Sequence, residues 1–259
     1  MARRRRGKSA KNAAYIGVGG FLILAVVVVV TTLFWIKPER VEKDPVTRCP
    51  IKEGPSAFTS VVIDRTDSFG SISKADVEVQ LRDILNGTKE NEQISLYAVE
   101  PVEKAPLRSL ISICNPGNPV NADPWKQNPK LVERNWKTKF QAPLDALLNS
   151  LLVEKEAPLS PIMESIQSVS ITALGGKQKA SVPRRIVLVS DLLQNSQAWS
   201  LYTQNPNFEA FSQANQTRGL NPDLRGVSVE FLFLQRQTKR RIDEKELIQF
   251  WMRWIEFFG

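Results

Sequence analysis

Oxygen-bearing side chains alternate along a short stretch of the chain that directly follows an apolar run. Asp64, Thr66 and Ser68 lie two residues apart after Val61–Ile63. Because alternate residues of an extended chain point to the same side, these three side chains can converge. Carboxylate and hydroxyl oxygens are the ligands that Mg²⁺, Mn²⁺ and Ca²⁺ prefer, whereas softer metals favour Cys or His, and the chain has no His. The stretch therefore predicts a site for a hard divalent cation.

The same residues leave a catalytic alternative open. A divalent-metal-dependent hydrolase could use Asp64 together with Asp191 if a general base lay within reach of the metal. Other catalytic patterns fit less well. Ser190 has no His with which to form a triad, and Thr66 occupies the place of the second acid in an Asp-x-Asp-x-Thr phosphoryl-transfer motif. We therefore predict a binding site and not an enzyme.

The N-terminal part of the chain contains a long apolar segment. No charged residue occurs from Ala13 to Ile36, and Phe21 to Val30 is continuously apolar. As a helix, the whole segment is long enough to cross a hydrocarbon core of roughly 30 Å. Trp35 suits the membrane interface and Pro38 ends the helix, whereas a signal peptide would have a shorter apolar stretch and a small-residue cleavage site. We predict one retained transmembrane helix over residues 13–36.

The charges that flank this segment predict its orientation. Residues 1–12 contain six basic residues and no acidic one, whereas residues 37–44 mix three basic with three acidic residues. By the positive-inside rule, the basic tail is cytoplasmic and everything after the helix is exported. In a bacterium, this places a single-pass protein in the inner membrane with its C-terminal domain in the periplasm.

The net charge does not favour nucleic-acid binding. The chain carries +8, from 35 basic and 27 acidic residues, but six of the basic residues belong to the N-terminal tail. The remaining 29 basic and 27 acidic residues give the exported part only +2, so it lacks the basic field that nucleic acids require. The tail is expected to set the topology and to contact anionic lipid headgroups.

The two cysteines, Cys49 and Cys114, are consistent with export. An even count in an oxidising compartment favours one disulfide, and two free buried thiols are the alternative. Two cysteines without His make a poor zinc site.

After the apolar segment, residues 37–54 have the composition of a short charged linker, and residues 55–259 are predicted to form one domain. Within this domain, apolar runs of strand length alternate with segments of helical spacing. The predicted strands are Phe58–Ile63, Ile94–Val99, Leu107–Ile113, Arg184–Val189 and Val227–Leu234. The predicted helices are Ser73–Leu85, Lys130–Val153, one that begins at Ser160–Pro161, and Asp243–Phe258.

This alternation predicts an α/β fold, a three-layer, doubly wound sheet of mostly parallel strands. The connection Pro101–Pro106 is short enough for a hairpin, which makes the third strand an antiparallel edge. Ligands of such sheets bind at the carboxyl ends of the strands. Both Asp64 and Asp191 follow predicted strands at that end.

The last predicted helix is rich in aromatic residues. The spacing of Phe250, Trp254, Phe257 and Phe258 predicts one face that packs on the sheet. Trp251 is expected to lie outside that face.

Three pieces of the sequence resemble, in order, the metal-ion-dependent adhesion site of the von Willebrand factor A (vWA) domain family. Asp64–Ser68 resembles the family's Asp-x-Ser-x-Ser, with Thr in place of the first Ser. Ser160–Pro161 resembles its Thr-Pro helix start and keeps a hydroxyl. Ser190–Asp191 resembles its strand end in Ser/Thr-Asp, although Leu192 stands where Gly is usual. The resemblance covers roughly Phe58 to Gly259.

The resemblance implies a vWA-like, Rossmann-like fold and five oxygen ligands for Mg²⁺, or for Mn²⁺ or Ca²⁺. These ligands are Asp64, Thr66, Ser68, Ser160 and Asp191. Because most of them are neutral, the ion keeps a positive field and one open position, which an Asp or Glu of a protein partner can fill.

We therefore expect a membrane-anchored, protein-binding module of an envelope assembly, such as one for secretion, conjugation, envelope biogenesis or phage defence. A structural domain with an empty metal site is the alternative, with its partner surface elsewhere, for example on the loop Asn115–Pro129.

Overall fold

A single five-stranded mixed sheet organises the protein in the computed structural model, which describes residues 20–32, 41–66, 71–101, 106–121, 128–153, 157–234 and 242–259. The strand order is β3-β2-β1-β4-β5. All neighbours are parallel except β2 and β3, which are antiparallel. The predicted mostly parallel α/β sheet with one antiparallel edge is confirmed, and the arrangement is Rossmann-like. The strands are β1 (Ala57–Ile63), β2 (Glu92–Ala98), β3 (Ile111–Cys114), β4 (Arg184–Ser190) and β5 (Val227–Phe233).

Helices pack on both faces of this sheet. They are α1 (Ser71–Asn86), α2 (Pro129–Trp136), α3 (Ala142–Leu151), α4 (Ile162–Ser168), α5 (Lys177–Ala180), α6 (Phe208–Gln213) and α7 (Glu244–Phe258). Short π-helical turns, Lys137–Gln141 and Val169–Ala173, join α2 to α3 and extend α4. The predicted helix Lys130–Val153 is therefore interrupted just before Pro143, where a Pro ring cannot continue regular helical bonding.

Two hydrophobic cores lie on opposite faces of the sheet, and β1 contributes to both. Val61 and Ile63 enter the core beneath α1, α2 and α3, whereas Val62 enters the core beneath α4, α6 and α7. All three side chains are fully buried, and burying a side chain of this size stabilises a fold by roughly 1.5–3 kcal/mol. The β-branched run before Asp64 is therefore anchored from both sides.

The buried face of α7 differs from the predicted one. Leu247, Phe250, Trp251 and Trp254 are its buried residues. Trp251 is 0% exposed and Phe257 is 63% exposed, so the prediction was wrong for both. Positions three or four residues apart share one helical stripe, and the stripe that starts at Leu247 includes Trp251 and passes beside Phe257.

The third strand is shorter than predicted. β3 begins at Ile111; the main-chain N–H of Leu110 still donates to the oxygen of Leu96 in β2 over 2.8 Å, whereas Leu107 contacts α4. The main-chain N–H of Leu107 donates to Ser168 Oγ over 2.7 Å, and Leu107 packs against the core on that face. The apolar run from Leu107 to Ile113 therefore has two parts: Leu107 packs against the core beneath α4, and the residues from Ile111 onward belong to β3.

A disulfide joins Cys49 to Cys114 at the end of β3, as predicted from the even cysteine count. The main-chain N–H of Cys114 also donates to the oxygen of Thr47 over 2.8 Å. These contacts make the residues before β1 part of the sheet domain, and the compact unit runs from Glu42 to Gly259. It starts earlier than the predicted boundary at residue 55.

The first compact unit, Met1–Val41, is described mainly by residues 20–32, which are helical. Across the described parts of the chain, no helix combines the length and the apolar character needed to cross a membrane. Residues 1–12, 13–19 and 33–36, which complete the predicted tail and apolar segment, lie outside the described residues.

Candidate metal centre

Asp64 lies at the carboxyl end of β1, in the middle of the sheet. Its main-chain N–H donates to the oxygen of Val189 over 2.8 Å, which continues the parallel pairing of β1 with β4 by one residue. In that register Ile63 is opposite Val189, so Asp64 is beside Ser190. The Asp64 side chain is completely buried.

Three hydroxyl groups converge on the Asp64 carboxylate, two from loops and one from the end of β4. Oδ1 accepts hydrogen bonds from the main-chain N–H of Thr66 at 3.1 Å and from Thr66 Oγ1 at 2.7 Å. Oδ2 accepts from Ser160 Oγ at 3.1 Å and from Ser190 Oγ at 2.8 Å. A buried carboxylate is costly unless it is hydrogen-bonded, and bonds to a charged acceptor are stronger than neutral ones. The hydroxyls therefore hold the Asp64 carboxylate in one position.

Ser160 is held beside Asp64 by the loop that follows β4. Its main-chain N–H and C=O exchange hydrogen bonds of 2.8 and 2.9 Å with Asn195. The Asn195 side chain also donates to the oxygen of Pro158 over 2.9 Å. The segment before α4 and the loop after β4 thus form a two-stranded bridge, which explains how residues 96 positions apart come into contact.

Asp191 follows β4 at the same edge of the sheet and is buried. Its Oδ1 accepts the main-chain N–H of Leu193 over 3.0 Å. This hydrogen bond closes a turn at the start of the loop after β4.

Leu192 has a left-handed backbone conformation, with φ of +64°. This conformation favours Gly, and a bulky side chain in it is strained. The sequence departs from the vWA pattern at this position, where Gly is usual, yet the backbone has the shape that Gly would adopt. The strain is offset by burial of the Leu192 side chain and by a hydrogen bond of 2.9 Å from Trp251 Nε1 to the Leu192 oxygen.

Gln194 is a further residue of this centre that the sequence reasoning did not identify. It is completely buried, and its Nε2 donates to Glu164 Oε2 and to Ser196 Oγ, both at 2.9 Å. Its Oε1 accepts the main-chain N–H of Met163 over 2.9 Å. The side chain therefore joins the loop after β4 to the first turn of α4. Its only signal in the sequence is a place in an Asn- and Gln-rich stretch.

The structure brings most of the predicted ligands to one edge of the sheet. Asp64, Thr66 and Ser160 are in direct contact, and Asp191 follows the neighbouring strand. Ser68 lies outside the described residues. Ser190 was noted in the sequence only as part of a motif, and it supplies the third hydroxyl in contact with Asp64.

The chemistry of this donor set fits a hard divalent cation. A hydroxyl that donates to Asp64 keeps oxygen lone pairs, and these can bind Mg²⁺, Mn²⁺ or Ca²⁺. Within the described residues, no group of three or more His, Cys, Asp or Glu side chains is placed to hold a metal. An ion would therefore be held by the hydroxyls of Thr66, Ser160 and Ser190 together with the carboxylates of Asp64 and Asp191.

A cleft of about 370 Å³ lies beside the first turn of α4. Its lining includes the acidic Glu100 and Glu164 and the basic Arg108. Glu100 Oε1 also pairs with Arg65 Nη2 at 3.2 Å. The surface next to the candidate centre thus carries charges of both signs.

Comparisons with known proteins leave the family of this chain open. No protein-family model matches the sequence, and no curated protein matches it. An aerotolerance-related membrane protein from Bacteroides fragilis has a solved structure that is 11% identical, covers 73% of this chain and 78% of its own, and gives a TM-score of 0.32.

Proximal thread matrix protein 1 from the mussel byssus is 10% identical over 80% of this chain, with a TM-score of 0.36. This chain spans about half (47%) of the mussel protein's length. TM-scores this low do not establish a shared fold, so neither protein bears on the function of this chain.

Proposed function

We propose that this protein is a membrane-anchored, vWA-like module that recognises an acidic residue of a protein partner through a divalent cation. The observation that carries the proposal is the convergence of Thr66, Ser160 and Ser190 on the buried carboxylate of Asp64. The site is at the carboxyl end of a parallel sheet, where ligands of such folds bind.

The proposed role of each ligand follows from its charge. Asp64 and Asp191 would supply the negative charge that attracts the ion, and the neutral hydroxyls would complete its coordination. A bound Mg²⁺, Mn²⁺ or Ca²⁺ would then supply a positive charge and an open position for an Asp or Glu of the partner. The buried network around Asp64 keeps these ligands in place before the ion arrives, which favours binding.

Membrane anchorage belongs to the same proposal and rests on the sequence of residues 13–36 and on its basic N-terminal flank. We propose that the tail is cytoplasmic and that the domain works in a bacterial periplasm, within an assembly for secretion, conjugation, envelope biogenesis or phage defence. A reporter that is active only in the periplasm, fused after Gly259, is expected to be active. Activity of a reporter that works only in the cytoplasm, fused at the same position, would contradict the proposed orientation.

Thermal unfolding of the full chain tests the metal site. Mg²⁺ or Mn²⁺ is expected to raise the Tm of the wild-type protein and to leave unchanged the Tm of the double variant Asp64→Asn/Asp191→Asn. Asp223→Asn is the matched control, because Asp223 pairs with Arg225 on the surface. It should respond to the ion like the wild type. An equal shift in the double variant would refute the metal site.

One observation favours a second candidate, a structural domain with no ion. Thr66, Ser160 and Ser190 already hydrogen-bond both oxygens of Asp64, so the network can stabilise the fold by itself. This candidate predicts that Asp64→Asn lowers the Tm although no divalent cation shifts the Tm of the wild type. The same melting series therefore separates the two candidates.

A further inference from the structure

A row of serines crosses three strands of the sheet on the face away from α1. Ser60 of β1 is opposite Ser95 of β2, and Ser95 is opposite Ser112 of β3. The hydroxyls of Ser95 and Ser112 are 2.8 Å apart. Ser60 and Ser95 are only 2% and 6% exposed, so this is a polar row in a part of the sheet that is largely shielded from solvent.

Core packing does not explain this row. The faces of parallel sheets are normally covered by helices and filled with apolar side chains. The next residue of β1 on the same face, Val62, follows that rule and is part of the core. At the serine row, a cleft of about 260 Å³ separates the sheet from Thr172, Ala173 and Lys179. That volume is slightly below the usual range for drug-sized ligands, so it suits a smaller molecule.

Lys179 gives this cleft its charge. Among the described residues that line it, Lys179 is the only charged one. Its Nζ donates to the oxygen of Ala173 over 2.7 Å and lies 5.4 Å from the centre of the Phe58 ring. An ammonium group has three N–H donors, so donors remain for a ligand. Burial lowers the pKa of Lys179, and a neighbouring anion would favour its charged form.

Tyr97 adds a hydroxyl donor to the same lining. It is buried, and it lines the cleft together with Ser60 and Ser95. Burial raises the pKa of Tyr97, so the phenol keeps its proton at neutral pH. The cleft therefore combines one cation with several neutral hydroxyl groups, and its described lining contains no carboxylate.

We infer that this cleft binds a small, hydroxyl-rich molecule that carries an oxyanion, with a phosphate or carboxylate group on Lys179 and neutral hydroxyls along the row Ser60, Ser95 and Ser112. The lining fits this class because its one charge is positive and its remaining polar groups are hydroxyls and amides, which can donate and accept. The inference does not depend on the candidate metal centre, which lies at the carboxyl ends of the strands.

Calorimetric titration of the full chain at constant ionic strength tests this site. The probes are inorganic phosphate, citrate, glucose 6-phosphate and glucose. Glucose 6-phosphate is expected to bind the wild type. The Lys179→Gln variant is expected to bind it roughly tenfold more weakly, or weaker still, because a charge-assisted hydrogen bond is lost. Lys177→Gln is the matched control, since Lys177 is exposed on the same short helix and does not line the cleft.

A second variant, Ser95→Ala, tests whether the hydroxyl row contributes to binding. Ser95→Ala is expected to lower the affinity for glucose 6-phosphate by roughly fivefold, which is the effect of one neutral hydrogen bond. The affinity for inorganic phosphate should be nearly unchanged. Citrate binding without phosphate binding would assign the site to carboxylates. Equal affinity of Lys179→Gln and wild type, glucose binding as tight as glucose 6-phosphate, or no binding of any anionic probe would overturn the inference. Far-ultraviolet circular dichroism establishes that each variant is folded.

Discussion

The indole N–H of Trp251 donates to the main-chain oxygen of Leu192 over 2.9 Å, between residues 59 positions apart. Both residues are buried. Leu192 follows Asp191 and has a left-handed backbone, so α7 holds the loop after β4 in a conformation that the loop would not favour alone. The last helix thereby supports the shape of the loop that follows Asp191.

Replacing Trp251 by Phe is expected to lower the free energy of unfolding by about 0.5–1.5 kcal/mol beyond the loss of packing. The buried oxygen of Leu192 then loses one of its two donors and keeps only the main-chain N–H of Gln194. Urea unfolding followed by tryptophan fluorescence measures this. Trp254→Phe is the matched control, since Trp254 is equally buried and its Nε1 has no hydrogen-bond partner among the described residues. Equal losses in the two variants would show that the hydrogen bond contributes nothing beyond packing.

Replacing Leu192 by Gly removes a buried side chain but relieves the left-handed backbone. Burial of Leu contributes roughly 1.5–3 kcal/mol, and a strained φ costs on the order of 1 kcal/mol. Leu193→Gly is the comparison, because Leu193 is also buried and lacks a positive φ. We expect Leu192→Gly to be less destabilising than Leu193→Gly by about 1 kcal/mol, measured by urea unfolding. The reverse order would contradict strain at Leu192.

Removing the disulfide through Cys49→Ser/Cys114→Ser is expected to lower the free energy of unfolding by about 4 kcal/mol, from the chain entropy of the loop that it closes. The two cysteines are 65 residues apart. Equilibrium unfolding with and without a reductant measures the effect. The reductant should destabilise the wild type and leave the double variant unchanged, and destabilisation of both would point to another cause.

Replacing Ser190 by Ala removes one of the hydroxyl donors to Asp64 and is expected to cost about 1.5–3 kcal/mol, since hydrogen bonds to charged groups are the stronger ones. Ser165→Ala is the control, because Ser165 is also buried but donates to the neutral main-chain oxygen of Pro161. Its loss should be about 1 kcal/mol. Chemical denaturation of both variants decides whether Ser190 belongs to the Asp64 network in solution.

The strands followed closely from the sequence because their signal is local. The β-branched runs that end in Ile63 and Val189 are continuous, as expected of strands buried on both faces, and the observed β1 and β4 include them. The start of β3 was not predictable in this way. Leu107 is apolar because it packs against α4, and an apolar residue does not reveal which neighbour it contacts.

The candidate centre was predictable to the extent that its residues are close in sequence or follow strands. Asp64 and Thr66 are two residues apart, and Ser160 was found through the resemblance alone. Ser190 required the register that places it beside Asp64, which depends on the pairing of β1 with β4. Gln194 required knowledge of which helix start its loop contacts, and periodicity carries no such information.

The disulfide between Cys49 and Cys114 also determines how a pulling force would travel through the domain. Tension applied at Glu42 reaches Cys49, where it divides between the main chain that leads into β1 and the disulfide that leads into the end of β3. The strand that carries Asp64 therefore takes only a share of such a load, and the antiparallel edge of the sheet takes the rest.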